Sequence, residues 1–168
     1  MTDLPIIQVL AGDWSCATSP LRSASAPIDV QDPEVDRVVA LLRKTLSRVT
    51  YGAGLSAVQI GIPVQVAIVN LSRDPLGEII LINPVLLKCS GRLISRSEGC
   101  LSLPDYKGHV KRRDKVIVET TSRDGERIVI TARGYEAAVL QHELDHMKGM
   151  FYWDRMDCGE YPMSIPPA

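Results

Sequence analysis

Between Tyr135 and Met147 the chain contains no glycine or proline, and Leu140, Leu144 and Met147 recur at i, i+4 and i+7. That spacing lines one face of a helix, and Gly149 is the natural stop. Any fold for this chain must therefore bury the leucine stripe of this helix. The same segment carries His142 and His146 four residues apart, with Glu143 beside the first. Residues four apart project from one side of a helix, so the two imidazoles can converge on a single ion with a carboxylate next to it. With only three histidines in 168 residues, an H-E-x-x-H match on a predicted helix points to a metal site rather than to chance.

A hydrolytic site of this kind wants three protein ligands and an open position. A further histidine six residues beyond His146 is excluded, because Tyr152 stands there, and the only downstream glutamate is Glu160 in an irregular tail. Cys100 and His109 remain. Cys100 stands in EGCLSLP beside Gly99, which lets a backbone approach closely, and a thiolate is a strong ligand for borderline ions. His109 stays open as an alternative, though it reads equally as a loop histidine.

The rest of the chain supplies the frame. Asp32-Pro33-Glu34 is an N-cap with proline at the first helical position, and Val35, Val38, Val39, Leu42, Leu46 and Val49 follow at helical spacing, predicting a helix that ends near Gly52. PVQVAIVN (63–70) places Val64, Val66 and Ile68 on one face of a strand, and IILIN (79–83) reads as another. KVIVETT and RIVITA flank Asp124-Gly125, predicting a hairpin over 115–132. A further strand includes Leu93 and Ile94, and residues 11–31 read as an irregular surface lead-in. The outline is α+β: short, mostly antiparallel strands around the helix that carries the motif, in one domain over residues 1–168.

Composition narrows the class. At 45% hydrophobic residues the chain can bury one sizeable core, and 19 basic against 20 acidic side chains (pI near 6.3) give no bulk field toward nucleic acid or a membrane surface. The start, MTDLPIIQVLAGDWSC, has Asp3 in place of a basic region and an apolar run that ends at Gly12-Asp13, so no secretion and a soluble, cytoplasmic protein are expected. No stretch approaches the roughly 20 apolar residues of a membrane span. The dispersed Cys16, Cys89 and Cys158 are expected to be small buried hydrophobes in a reducing compartment.

GAGLSAVQIG (52–61), EGCLSLP (98–104) and QHELDHMKG (141–149) together resemble the three motifs of peptide deformylases, in the same order, with INP (82–84) and FYWDR (151–155) extending the likeness over residues 32–156. The resemblance implies a compact α+β fold and removal of the formyl group from the N-terminal methionine of nascent chains at the ribosome. It implies Cys100, His142 and His146 as metal ligands, with ferrous iron as the physiological ion and zinc, nickel or cobalt acceptable in purified protein. Glu143 would transfer the proton, as its position beside the two histidines also suggests. The Gln59 amide and the Leu101 N–H would stabilise the oxyanion. Ala53, Gly54 and Gly99 would line the substrate cleft, where the peptide can pair as an added strand, and Arg112 would stand near its mouth.

From the residues alone, Gln59 could equally be a buried amide tied to backbone, and Arg112, in KRRDK, a solvated strand edge. Asp145 reads either as holding a ligand histidine or an arginine or as simply facing solvent, and Arg155, in the segment that resembles the family, is a candidate partner whose contact the sequence does not show. Departures from the family pattern are Val58 in place of proline, Ser56 in place of alanine, and Arg96 and Tyr135-Glu136 where relatives place apolar residues around the methionine pocket. The short Pro-rich tail after Asp157 predicts a non-helical end. Two other readings compete: a hydrolase for another N-acyl substrate, and a noncatalytic metal- or peptide-binding relative. The second is disfavoured by the retained Glu143, Gln59 and open ligand set.

Overall fold

The computed structural model describes residues 4–72 and 74–165; Asp3 and the other ends of the expected 1–168 domain lie outside them. Helix α1 spans Pro33–Ser47. Asp32 caps it, its carboxylate accepting from the Glu34 N–H at 2.8 Å, and Pro33 fills the first position, where no N–H is needed. The helix ends earlier than its apolar pattern predicts: the Arg48 N–H already turns back to Thr45 and Leu46. Val49 still packs against the α1 core, so it kept the apolar period without the helix.

Strands β1 (Gly54–Ser56), β2 (Val66–Val69) and β3 (Ile79–Ile82) form one antiparallel sheet in that order. β2 is its centre and is buried on both faces: Val66 and Ile68 pack with α1, while Ala67 and Val69 turn to the opposite side. Strands β4 (Val85–Cys100), β5 (Leu103–Thr121) and β6 (Arg127–Arg133) form the second antiparallel sheet. The β5–β6 hairpin is the predicted one, with Gly125 at φ +82° and the Ser122 hydroxyl accepting from the Asp124 and Glu126 N–H groups. A two-residue strand, β7 (Met163–Ser164), pairs with the start of β5, so the described tail is non-helical.

Helix α2 spans Gly134–Met147 and lies between the sheets. Leu140, Leu144 and Met147 pack with Ala67, Val69 and Leu81 of the first sheet and with Val116, Val118 and Ala132 of the second. This apolar seam fixes both sheets relative to the histidine face of the helix. Gly149 ends the turn at φ +72°, where a Cβ would meet the Arg22 carbonyl oxygen at 2.1 Å, so the closing of α2 against the N-terminal segment requires glycine. Of the three cysteines expected to be buried, Cys16 is, but Cys89, on β4, and Cys158, in the tail, are exposed. No described helix is long and apolar enough to cross a membrane.

Candidate metal centre and cleft

The centre forms where α2 passes the tip of the second sheet. β4 ends at Cys100 and pairs directly with Leu103, so Leu101 and Ser102 make a tight turn, with a register shift between Gly99 and Cys100 that sets the thiol facing α2. On the helix, His142 and His146 present their Nε2 atoms to each other at 3.2 Å, and the Cys100 Sγ stands 3.2 Å from His146 Nε2. The three donor atoms lie within 4.8 Å of one another, and this is the one such group of three among the described residues. His109, the alternative ligand, faces outward on β5 opposite Ser97.

The donor chemistry fits an ion. Donors about 2.0–2.3 Å from a tetrahedral centre stand about 3.3–3.6 Å apart, close to the 3.2 Å separations found here. Burial alone would raise the Cys100 thiol, yet the neighbouring His146 and His142 hold it well below its ordinary range, as a thiolate ligand requires. His142 Nδ1 meets the Glu98 carboxylate at 3.1 Å, which fixes the ring with Nε2 turned to the centre.

Behind that contact lies a buried ion network. Arg112 donates to Glu98 at 2.8 and 2.9 Å and to Asp145 at 2.5 Å, and Arg155 reaches Asp145 at 2.7 Å. Burial would raise the carboxyl of Glu98, but His142 and Arg112 keep it low; Arg155 and Arg112 do the same for Asp145. The expectation of Arg112 near the cleft mouth is thus corrected: its side chain is 4% exposed and lies behind His142, not along the cleft. An arginine this deep is tolerated because three of its donors meet carboxylates.

Glu143, 3% exposed, does not join the three donors; its carboxylate faces β1, where the Ser56 hydroxyl donates to it at 2.7 Å. Burial raises its carboxyl above the ordinary range, which suits a group that must take up a proton. Gly54 is the reason it fits. A Cβ there would stand 2.6 Å from Glu143 Oε1 and 3.0 Å from its Cδ. Gln59, 2% exposed, accepts from the Ser56 N–H through Oε1, while Nε2 reaches Ser102 Oγ at 3.1 Å and Cys100 Sγ at 3.5 Å. Its amide is therefore both tied to backbone and turned toward the centre.

A cleft of about 720 Å³ opens over these groups, lined by Ala53, Gly54, Gln59, Gly99, Cys100, Leu101, His142 and Glu143, with Tyr135 and Ile165 farther out. Of the residues expected around the methionine pocket, Tyr135 lines the cleft, whereas Arg96 and Glu136 do not. Ser56 and Glu98 were not singled out as site residues by sequence. Glu98 precedes Cys100 by two on the same strand face, a readable signal; Ser56 announces itself only through its contact with Glu143, 87 positions away.

The polypeptide deformylase family profile matches residues 15–160. The peptide deformylase of Agrobacterium fabrum (strain C58) is 36% identical over 140 residues, which is 81% of this chain and 81% of its own length. The crystal structure of the Thermotoga maritima peptide deformylase superposes with a TM-score of 0.81 at 27% identity, covering 94% of this chain and 99% of that one. A Met-Ala-Ser-bound class I type b peptide deformylase from Acinetobacter baumannii superposes with a TM-score of 0.79 at 27% identity, covering 92% of this chain and 99% of that one. Sequence and fold agree over most of the chain, and the chain belongs to the peptide deformylase family, the metal-dependent hydrolases that remove the N-formyl group from the N-terminal methionine of new polypeptides.

Proposed function

We propose that this chain deformylates nascent polypeptides with ferrous iron held by Cys100, His142 and His146, and with Glu143 as the proton-transfer group. The observation that carries the assignment of Glu143 is its buried carboxylate, excluded from the three-donor set and fixed by Ser56 at 2.7 Å on the wall of the cleft. A divalent ion held by these three residues would supply Lewis acidity toward the formyl carbonyl and the attacking water. Glu143 takes the proton from the attacking water and delivers it to the departing amine as the C–N bond breaks, so that formate and a free N-terminus leave. The Gln59 Nε2–H and the Leu101 N–H donate to the oxygen on which negative charge develops.

Ala53, Gly54 and Gly99 leave the main chain of β1 and β4 open to the cleft, where an extended peptide start can pair as an added strand whatever its sequence. Arg112 has a different part from the one expected: it holds Glu98, and Glu98 holds His142. The substrate is the N-formylmethionyl end of a chain emerging from the ribosome, and the protein works in the cytoplasm without binding nucleic acid, in keeping with its balanced charge. The test is formate release from formyl-Met-Ala-Ser, beside its acetylated counterpart, by protein loaded anaerobically with ferrous iron. Release from the formyl peptide alone supports the reading; release from the acetyl peptide at a comparable rate would replace it with a broader N-acyl hydrolase.

A further inference from the structure

Ser56 stands outside the cleft, yet it touches both Glu143 and Gln59. It ends β1, is fully buried, and is absent from the cleft lining. Its N–H donates to Gln59 Oε1 at 3.0 Å, and its hydroxyl lies 2.7 Å from Glu143 Oε2 and 3.2 Å from the Glu143 carbonyl oxygen. A serine hydroxyl has one proton to donate, and 2.7 Å is the ordinary length of an O–H···O bond, so the proton goes to the carboxylate. The hydroxyl thus holds the carboxylate by one of its two oxygens.

The other oxygen has a different neighbour. Gly54 and Ser56 are two apart on β1 and so present one face, toward Glu143, while Leu55 between them packs with α1. The atom nearest to a Cβ added at Gly54 is Glu143 Oε1, at 2.6 Å, and Gly54, unlike Ser56, lines the cleft. The pair therefore divides the carboxylate: Oε2 is turned inward to the hydroxyl, and Oε1 lies beside Gly54 on the cleft side. A proton arriving on Oε1 leaves Oε2 as the carbonyl oxygen of the acid, still an acceptor for the Ser56 hydroxyl. One hydrogen bond then serves before and after the transfer, and the carboxyl group has no need to turn between taking the proton and giving it up. A proton on Oε2 would confront the hydroxyl hydrogen and force the serine to reverse its bond.

Resting on the deformylase reading, we infer that Oε1 of Glu143 is the atom that receives the water proton and passes it to the departing amine, and that Ser56 is the positioning residue that keeps this oxygen toward the substrate. The O–H bond of the water breaks as Oε1–H forms; Oε1–H then breaks as the amine nitrogen gains its N–H and the C–N bond is cleaved.

The test compares Ser56→Ala and Ser56→Thr with the unaltered chain, all loaded anaerobically with ferrous iron, on formyl-Met-Ala-Ser. Ser56→Ala should lower kcat by about tenfold, the effect of one lost hydrogen bond to a charged group, because the carboxylate is no longer held in one plane. KM and metal content should stay unchanged, since Ser56 belongs neither to the cleft lining nor to the three-donor set. Ser56→Thr, which retains the hydroxyl, should keep kcat within about threefold of the unaltered chain. Were Oε2 the transferring atom, removing the hydroxyl would release it, and kcat would hold or rise. A kcat in Ser56→Ala above about half the unaltered value therefore overturns the inference. So does a change confined to KM, or a fall in Ser56→Thr as deep as in Ser56→Ala at equal metal content and melting temperature; each leaves deformylation standing. No formate from the unaltered chain overturns the deformylase reading and the inference with it.

Discussion

Replacing Gly54 with alanine should disable the enzyme without unfolding it. The added Cβ would stand 2.6 Å from Glu143 Oε1, and ordinary contact begins at 3.4 Å, so the carboxylate must retreat by about 0.8 Å. Gly54 has no left-handed backbone to strain, and the obstructing atom is the end of a side chain, so the fold should survive the change. Glu143 cannot retreat freely, however, because it is buried and held by Ser56. Misplacing a catalytic group by about 1 Å can cost about 100-fold in rate, or about 2.7 kcal/mol at the transition state. Gly54→Ala should therefore lower kcat for formyl-Met-Ala-Ser by about 100-fold, with unchanged metal content and a melting temperature within a few degrees of the unaltered protein. A kcat within threefold would refute the reasoning. A rise in KM with kcat intact would show that Gly54 only leaves room for the peptide.

Other perturbations separate the parts of the site. Gln59→Leu should reduce kcat by about 100- to 1,000-fold through loss of an oxyanion donor, and should cost about 1–3 kcal/mol in denaturant unfolding by orphaning the Ser56 N–H and Ser102 hydroxyl. Arg112→Met should destabilise the protein by about 3–5 kcal/mol, because Glu98 and Asp145 lose their shared buried cation. Equal melting temperatures for variant and parent would contradict that assignment. Ferrous-loaded protein should lose activity faster in air than under argon, through oxidation at the ion or the Cys100 thiolate, and equal half-lives would argue for another ion.

Much of this architecture could be read in the sequence, for identifiable physical reasons. α2 buries one face, so its 3.6-residue period survives in Leu140, Leu144 and Met147; α1 carries a cap and proline at the expected places. Only parts of the β4–β5 ribbon are legible, at Leu93-Ile94 and from residue 115 onward, because β4 is exposed along most of both faces, and register shifts near Leu86 and Ser90 break the alternation that would mark its full length. Arg112 reads as a solvated strand edge from its charged neighbours and as a cleft-mouth residue from the resemblance, and it is neither. A better signal lay in the inward positions of β5, where Val110, Arg112, Val116 and Val118 fall on one buried face, so that an inward arginine demands acidic partners. Those partners, Glu98 and Asp145, come from two other elements, and only the fold brings them together. The role of Gly54 was hidden for the same reason: its constraint is a carboxylate 89 residues away, and glycine records only that something must come close.

The most direct test of the central claim concerns Glu143. In Glu143→Ala loaded with ferrous iron, one metal per chain should remain, because Cys100, His142 and His146 are untouched, while formate release from formyl-Met-Ala-Ser should fall by about 1,000-fold. Turnover within tenfold of the unaltered protein at full metal content would contradict the assignment of Glu143 as the group that moves the proton.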